Sequence, residues 1–398
     1  MARFSASEWD RAIELLEADE SVYGLPASRE RSAVLGTFNI LKLGSVRKRS
    51  SRAWTFLQRV TGRFDLLAIQ EVLDELAGLE KLRSGLDSSY GLAVSDTTGA
   101  TPGSRGLRER LAYLFRWPTI GRTEIASDIS YDRTAVLEHL VEQMSTHPDE
   151  IKAMCDKASA IAAHNAMLAP GKKPKKLPKF KPPGFVTFMR QPYCAGFHLN
   201  GRNGAKPVDF LAVNAHLLYG DKKIERKQEF DALLKWLVYR AKMKRRTMHD
   251  NILLLGDLNL DFADNDVKRE TIDDQIKDLN GRYLSSDRVT CNFPLLSAHP
   301  TRGMMKTAAR SEETYDHIGI FARDATLPGP DANAEAGQLG EDGYDYGVFR
   351  FIDLFADALF GKKYNSLAKA QKDRVIEGCK AEVSDHMPVW MRLPIPGA

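Results

Sequence analysis

Six short apolar runs in this 398-residue chain break off into the same kind of polar residue. "GTFNIL" presents Asn39, "LLAIQEV" Glu71, "AVNAHL" Asn214 and His216, and "LLLGDLN" Asp257 and Asn259. "TYDHIGI" presents Asp316 and His317, and "SDHMPV" presents Ser384, Asp385 and His386. Apolar runs of this length suit buried strands. Any one of them could end in a simple turn, because Asp and Asn are favoured where strands stop. All six together are harder to read that way. Burying so many carboxylates, amides and imidazoles without partners would be costly, so the pattern implies strand ends gathered around one polar cleft.

The stretches between these runs alternate in period. Residues 6–20, "SRAWTFLQRVTGR" (51–63), "GLEKLRSGLD" (78–87) and "IERKQEFDALLKWLVYRAKM" (224–243) read as helices. "ERLAYLFR" (109–116), "PGFVTFMRQPY" (183–193) and "PVDFLAVNAHL" (207–217) alternate as strands. Helices and strands are mixed throughout, which places the chain in the α/β (α+β) class. Two segments look inserted: a helical stretch at 132–168 that runs into a Lys/Pro loop, and a Pro- and Gly-rich stretch at 328–347. No internal repeat is visible.

Several function classes are excluded by what is missing. Four cysteines lie far apart with no C-x-x-C pair, which argues against a zinc site or a disulfide framework. H-E-x-x-H, a Walker A loop and G-x-G-x-x-G are absent. No stretch approaches the roughly 20 apolar residues of a bilayer span, and the first residues form an acidic amphipathic pattern without a signal core. A cytoplasmic protein with no membrane partner is expected. The net charge of +4 says little, but its distribution says more. "PGKKPKKLPKFKPPG" (170–184) carries Lys172, Lys173, Lys175, Lys176, Lys179 and Lys181 with no acid, and "KMKRR" (242–246) is a second basic cluster. Such runs are either solvated surface or contacts to a polyanion.

The ordered series "TFNIL", "IQEV", "NAHL", "GDLN", "YDHI", "SDHMPV" resembles the endonuclease/exonuclease/phosphatase superfamily, the deoxyribonuclease I-like fold, from about Ser32 to Pro394. The resemblance implies a four-layer α/β/β/α sandwich of two packed, mostly antiparallel sheets with a helical insertion. Residues 1–31 would be an N-terminal helix and lead-in, and 32–395 the catalytic domain. Insertions would fall at about 132–183 and, as loop and helix, at about 324–382. The implied activity is phosphoester hydrolysis with a divalent cation, usually Mg2+, with Mn2+ as a possible substitute. Glu71 would be the main metal ligand, with Asn39 and Asp385 beside it. Asp257 would position or activate water, and Asn259 would bind the phosphate. "ERLAYLFR" resembles the segment whose Glu supports the first histidine, so Glu109 would orient His216, and Asp316 would orient His386. Which histidine is the acid and which the base stays open. "FMRQPY" resembles a Phe-x-Arg-x-Pro strand of the deoxyribonuclease I branch. Asp261 has no role in the pattern and reads as a loop or supporting residue; His317, His198 and His249 read as structural.

Fold and core motifs do not select the phosphoester. Leu73 and Leu107 stand where deoxyribonuclease I has an Arg and an aromatic residue for the minor groove. "EETYDHIGI" lacks the Trp-Arg-x-Asp-Tyr-like segment of abasic-site endonucleases. The leading expectation is a nuclease of DNA or RNA. Lys172, Lys173, Lys175 and Lys176 would grip nucleic acid, and Arg116, Arg190 and Asn214 would bind substrate near the scissile phosphate. The alternatives are an enzyme acting on a small or lipid phosphoester and a non-catalytic scaffold. A serine-hydrolase reading of "SDH" fails, because contiguous residues seldom surround a nucleophile and G-x-S-x-G is absent.

Overall fold

The apolar runs become strands of two six-stranded sheets in the computed structural model. It describes residues 3–99, 108–129, 133–178, 187–219, 223–242, 249–261, 289–310, 312–340 and 342–397, with five positions between 272 and 278. The first sheet holds β1 (Ser32–Leu43), β2 (Leu66–Leu73), β3 (Tyr90–Val94), β4 (Glu109–Arg116), β11 (Asp345–Val348) and β12 (Val389–Pro394). Their order is β11-β12-β1-β2-β4-β3. The second sheet holds β5 (Ile120–Asp128), β6 (Tyr193–Leu199), β7 (Val208–His216), β8 (Asn251–Asp257), β9 (Thr290–Asn292) and β10 (Asp316–Ala322), ordered β5-β6-β7-β8-β10-β9.

Each sheet is antiparallel except at its centre, where β1 and β2, and likewise β7 and β8, run parallel. A parallel pair needs a crossover, usually a helix laid over the sheet. Helix α2 (Ser51–Thr61) connects the first pair and α6 (Lys223–Lys242) the second. Ser50 caps α2 by accepting the Ala53 N–H at 3.2 Å, and Trp54, Phe56, Leu57 and Val60 bury its inner face. On the opposite side Phe230, Leu233, Leu237 and Val238 of α6 pack on Leu211, Val213 and Leu254. The result is helix, sheet, sheet, helix. It matches the expected four-layer sandwich of mostly antiparallel sheets.

The outer layer over the first sheet also holds α1 (Ala6–Ala18), α3 (Ala77–Ser84), α7 (Phe351–Phe360) and α8 (Lys369–Glu382). Helix α1, expected outside the catalytic domain, is built into this layer. Its Trp9 indole donates to the buried Glu382 carboxylate at 2.7 Å, and Phe4 stacks on Phe355 at 4.2 Å. An apolar face of Trp9, Ala12 and Leu16 requires such a cover. The stretch expected as a loop and helix insertion at 324–382 likewise contains β11, an integral edge strand.

Helices α4 (Arg133–Thr146) and α5 (Pro148–Ala166) lie between β5 and β6, over the stretch where a helical insertion is expected. Lys172, Lys173, Lys175 and Lys176 follow it as exposed residues. Leu107, Lys179, Lys181 and the basic run 243–246 lie outside the described residues. The 183–193 stretch is not a strand over its described part: the ladder begins only at Tyr193. The Met189 N–H goes instead to the Glu229 carboxylate at 2.7 Å, and Pro192 has no N–H to offer. No described helix is long and apolar enough to cross a membrane.

Candidate active site

The polar strand ends meet. Glu71, Glu109, His216, Asp257, Asn259, Asp385 and His386 line one cleft of about 440 Å³, with Asn39 and Asp316 buried beneath it. A larger hollow of about 660 Å³ opens between the opposite strand ends, beside Val208, Asn251 and Pro394. Chemistry rather than size singles out the smaller one.

Asp257 is the centre. It closes β8 fully buried, and its Oδ2 lies 3.6 Å from Nε2 of both His216 and His386. The same oxygen accepts the Asn39 amide at 3.0 Å, while Oδ1 accepts the Asn259 N–H at 3.0 Å. Burial alone would raise its pKa, but the two imidazoles and these hydrogen bonds outweigh it and hold the carboxyl below its ordinary range. Asn259 adopts φ +52°, donates its amide to Leu217 O at 2.9 Å and accepts Arg226 at its carbonyl at 2.8 Å. Asp257 therefore both ends its strand in a turn and enters the site, so the two readings of this motif describe one feature.

Each imidazole has its own carboxylate on the far side. His386 Nδ1 is 2.8 Å from Asp316 Oδ2 and His216 Nδ1 is 2.9 Å from Glu109 Oε2. Burial opposes protonation of His386, but facing Asp316 and Asp257 it is held well above the ordinary histidine value. Burial raises Glu109, yet His216 and Arg190 together bring it below its usual value. Glu109 belongs to the first sheet and His216 to the second, so this pair spans the interface.

Glu71 reaches the cleft through a backbone irregularity. The register of β2 against β4 shifts between Ile69 and Val72, and Glu71 takes φ +57°. Such bulges re-aim a side chain, and a left-handed non-glycine residue is strained. Its carboxylate accepts the Lys42 N–H at 2.9 Å, and Lys42 also has positive φ, +49°. Among the described residues Asn39 Oδ1 and Asp385 Oδ1 are buried without a hydrogen-bond partner. With Glu71 they make an oxygen-only set that fits a hard divalent cation. Asp257, Asp316 and His386 form a second grouping, with ligand atoms within 4.8 Å of one another. There Asp316 and His386 already face each other, so the oxygen set is the better holder.

Several expected binding residues are placed elsewhere. Arg116 lies at the opposite end of β4 from Glu109, and its Nε donates to Asp65 at 2.8 Å. It cannot form the phosphate rim, because seven residues of strand separate the two ends by about 23 Å. Asn214 is fully buried between the sheets. It accepts Gln70 Nε2 at 2.6 Å and donates to Ile69 O at 3.2 Å and Ala112 O at 2.9 Å. It ties the sheets and has no amide atom left for substrate. Arg190 does line the cleft, but its Nε lies 2.7 Å from Glu109, so it supports the His216 pair. The four described lysines of 172–176 are not among the cleft-lining residues. Ser384 Oγ donates to Asn39 O at 2.6 Å and accepts the Leu41 and His386 N–H groups, which makes it a clip between strands.

Sequence reasoning missed Tyr219, Arg310, Glu313, Tyr315 and Lys380, all on the cleft. It also missed Arg226 and Glu229 of α6. Glu229 is buried and accepts the Met189 and Leu218 N–H groups at 2.7 and 2.6 Å, fixing the loop that precedes β6 and the one that follows β7. A signal existed: Arg226 and Glu229 continue the Phe230–Leu233–Leu237 stripe toward the helix N-terminus. Charges on a buried face need partners.

His317, beside Asp316, turns into the core with Nε2 2.9 Å from Thr314 O, and burial lowers its pKa to about 4. Its folded pKa thus lies below the unfolded value of about 6.5. The neutral ring gives full stability above about pH 6.5. As pH falls from there toward 4, the unfolded chain takes up a proton that the folded chain refuses. The loss should reach about 3 kcal/mol. Denaturant unfolding between pH 7.5 and 4.5 should show a slope smaller by about one proton in His317→Gln than in wild type. Parallel slopes would exclude this role.

No family model matches the chain. It is similar to a curated deoxyribonuclease of Thioalkalivibrio sp. (strain K90mix), 25% identical over 236 residues. The match covers 59% of this chain and 48% of that protein, so it spans about half the relative's length. Among solved structures, it is similar to the mannosyl-6-phosphatase of Bacteroides thetaiotaomicron VPI-5482, with 13% identity, 90% of this chain and 98% of that one covered, and a TM-score of 0.45. Caenorhabditis elegans TDP2 (12%, 91% and 97%, 0.42) and the human Nocturnin catalytic domain (12%, 92% and 95%, 0.40) are similar on the same measures. The chain carries these strand-end motifs in this order, folds into two packed mixed sheets and is similar in sequence to a deoxyribonuclease, in keeping with its resemblance to the endonuclease/exonuclease/phosphatase superfamily.

Proposed function

We propose that the chain is a divalent-metal-dependent phosphodiesterase that hydrolyses phosphodiester bonds of DNA or RNA. The observation that carries this reading is Asp257 set between two imidazoles, each backed by its own carboxylate. An ionised Asp257 at the cleft floor orients water for attack and takes its proton. His386, kept protonated by Asp316 and Asp257, donates a hydrogen bond to the phosphoryl oxygen on which charge develops. Glu109 and Arg190 hold the His216 ring so that Nε2 faces the same point. Asn259, locked by its turn, offers a polar group to the phosphate. Mg2+, or Mn2+ in its place, would be held by Glu71, Asn39 and Asp385 and would neutralise negative charge on the phosphoryl group. Lys172, Lys173, Lys175 and Lys176 would add sequence-independent affinity for a polyanion.

The test offers end-labelled single- and double-stranded DNA and RNA to purified protein with Mg2+, Mn2+ or EDTA. Cutting should require metal and fall about 10²- to 10⁴-fold in His386→Ala. Cutting that survives EDTA or this substitution would refute the reading. Rapid turnover of a free phosphomonoester with intact polymers would instead favour the small-phosphoester alternative.

A further inference from the structure

The cations that line or were expected near the cleft are largely committed. Arg116 is paired with Asp65, Arg190 with Glu109, and Lys380 with Asp385 at 3.1 Å. Arg310 differs. It lines the cleft, is exposed, and makes no hydrogen bond or ion pair with a described residue. Tyr219 lines the same cleft with 69% of its surface exposed.

Both stand on firmly held backbone. Leu217 O, before Tyr219, accepts Asn259 Nδ2 at 2.9 Å and Arg190 at 3.1 Å, and the Leu218 N–H is held by Glu229 at 2.6 Å. Just before Arg310, the Ala309 N–H donates to Asp385 O at 2.8 Å, and the Met387 N–H donates to Thr307 O at 2.7 Å. A fixed main chain carrying an exposed aromatic and a guanidinium that makes no hydrogen bond or ion pair among the described residues is a preorganised binding surface.

We propose that Tyr219 and Arg310 form a subsite for the nucleotide flanking the scissile bond, with Tyr219 stacking on its base and Arg310 pairing its phosphate. The proposal rests on the nuclease reading and narrows it. A base can offer its face to Tyr219 only after leaving its own stack, so the subsite selects unpaired over duplex nucleic acid. The guanidinium contributes a charge-assisted contact that carries no sequence information.

The test uses the full chain with Mg2+ and three substrates: a single-stranded oligonucleotide, the same strand with abasic spacers at the flanking positions, and its duplex. Wild type should prefer the intact single strand. Tyr219→Ala should raise KM on that strand about tenfold, with a smaller change in kcat, and lose far less on the abasic strand. Tyr219→Trp should recover the loss, which shows that the platform still folds. Arg310→Gln should weaken binding of both single strands and reduce the salt slope by about one phosphate contact. Equal losses of Tyr219→Ala on base-containing and abasic strands, or a wild-type preference for duplex, would overturn the subsite while leaving the nuclease reading intact. Failure of wild type to cut any of the three would overturn both.

Discussion

Replacing Asp257 by Asn is expected to lower kcat by about 10³-fold or more, with the fold retained. Asn is nearly isosteric and can still accept the Asn259 N–H that ends β8. It removes the charge, however, and turns an amide N–H toward the Asn39 amide and the two imidazoles. The carboxylate base between the two imidazoles is then lost. The pH profile supplies a second readout. His386 is held above its ordinary range by facing Asp316 and Asp257, so losing one of the two carboxylates must lower its pKa. The limb of the residual pH–rate profile that reports loss of the His386 proton should move to lower pH. A variant within tenfold of wild type, with the limb unmoved, would show that Asp257 is structural.

Replacing Asn214 by Ala is expected to destabilise the protein by about 3–5 kcal/mol with little change in KM. The side chain belongs to the second sheet, yet all its partners, Gln70, Ile69 O and Ala112 O, lie in the first. Removing it leaves the Gln70 amide without its acceptor and takes a side-chain donor from two carbonyls in a buried interface, where an unsatisfied polar group costs about 1–3 kcal/mol. Thr37 Oγ1 donates to Gln70 Oε1 at 3.1 Å, so the fault extends one residue further into the first sheet. Chemical denaturation monitored by tryptophan fluorescence would give the stability change, and initial rates below the unfolding transition would give KM. A raised KM at unchanged stability would return Asn214 to the substrate site.

Much of this architecture was legible in the chain because it is local. An apolar run of strand length that stops at Asn, Asp, Glu or His identifies both a strand and its polar end, and six such runs imply a common cleft. The Asp257–Asn259 turn, the 132–168 helices and the structural His317 could be read from a few neighbouring residues. The orientation of Glu71 could not. It depends on a bulge set by the pairing of β2 with β4, and "LLAIQEV" reads as an ordinary strand.

Charge assignment was less legible still. Arg116 and Arg190 resemble one another in sequence, each ending or bordering an apolar stretch. One meets Asp65 at the far end of the sandwich, and the other meets Glu109 beneath His216. Glu229, passed over within the 224–243 helix, is a buried anchor for two loops, while Arg310 and Tyr219 carried no pattern at all. Local sequence determined which residues are polar at which strand ends, because side-chain period and burial act over neighbouring positions. Only the packing of the two sheets decided which charges neutralise one another and which remain open to substrate. Coulomb and hydrogen-bond partners are chosen by distance in space, across separations of 51 residues for Arg116 and 81 for Arg190.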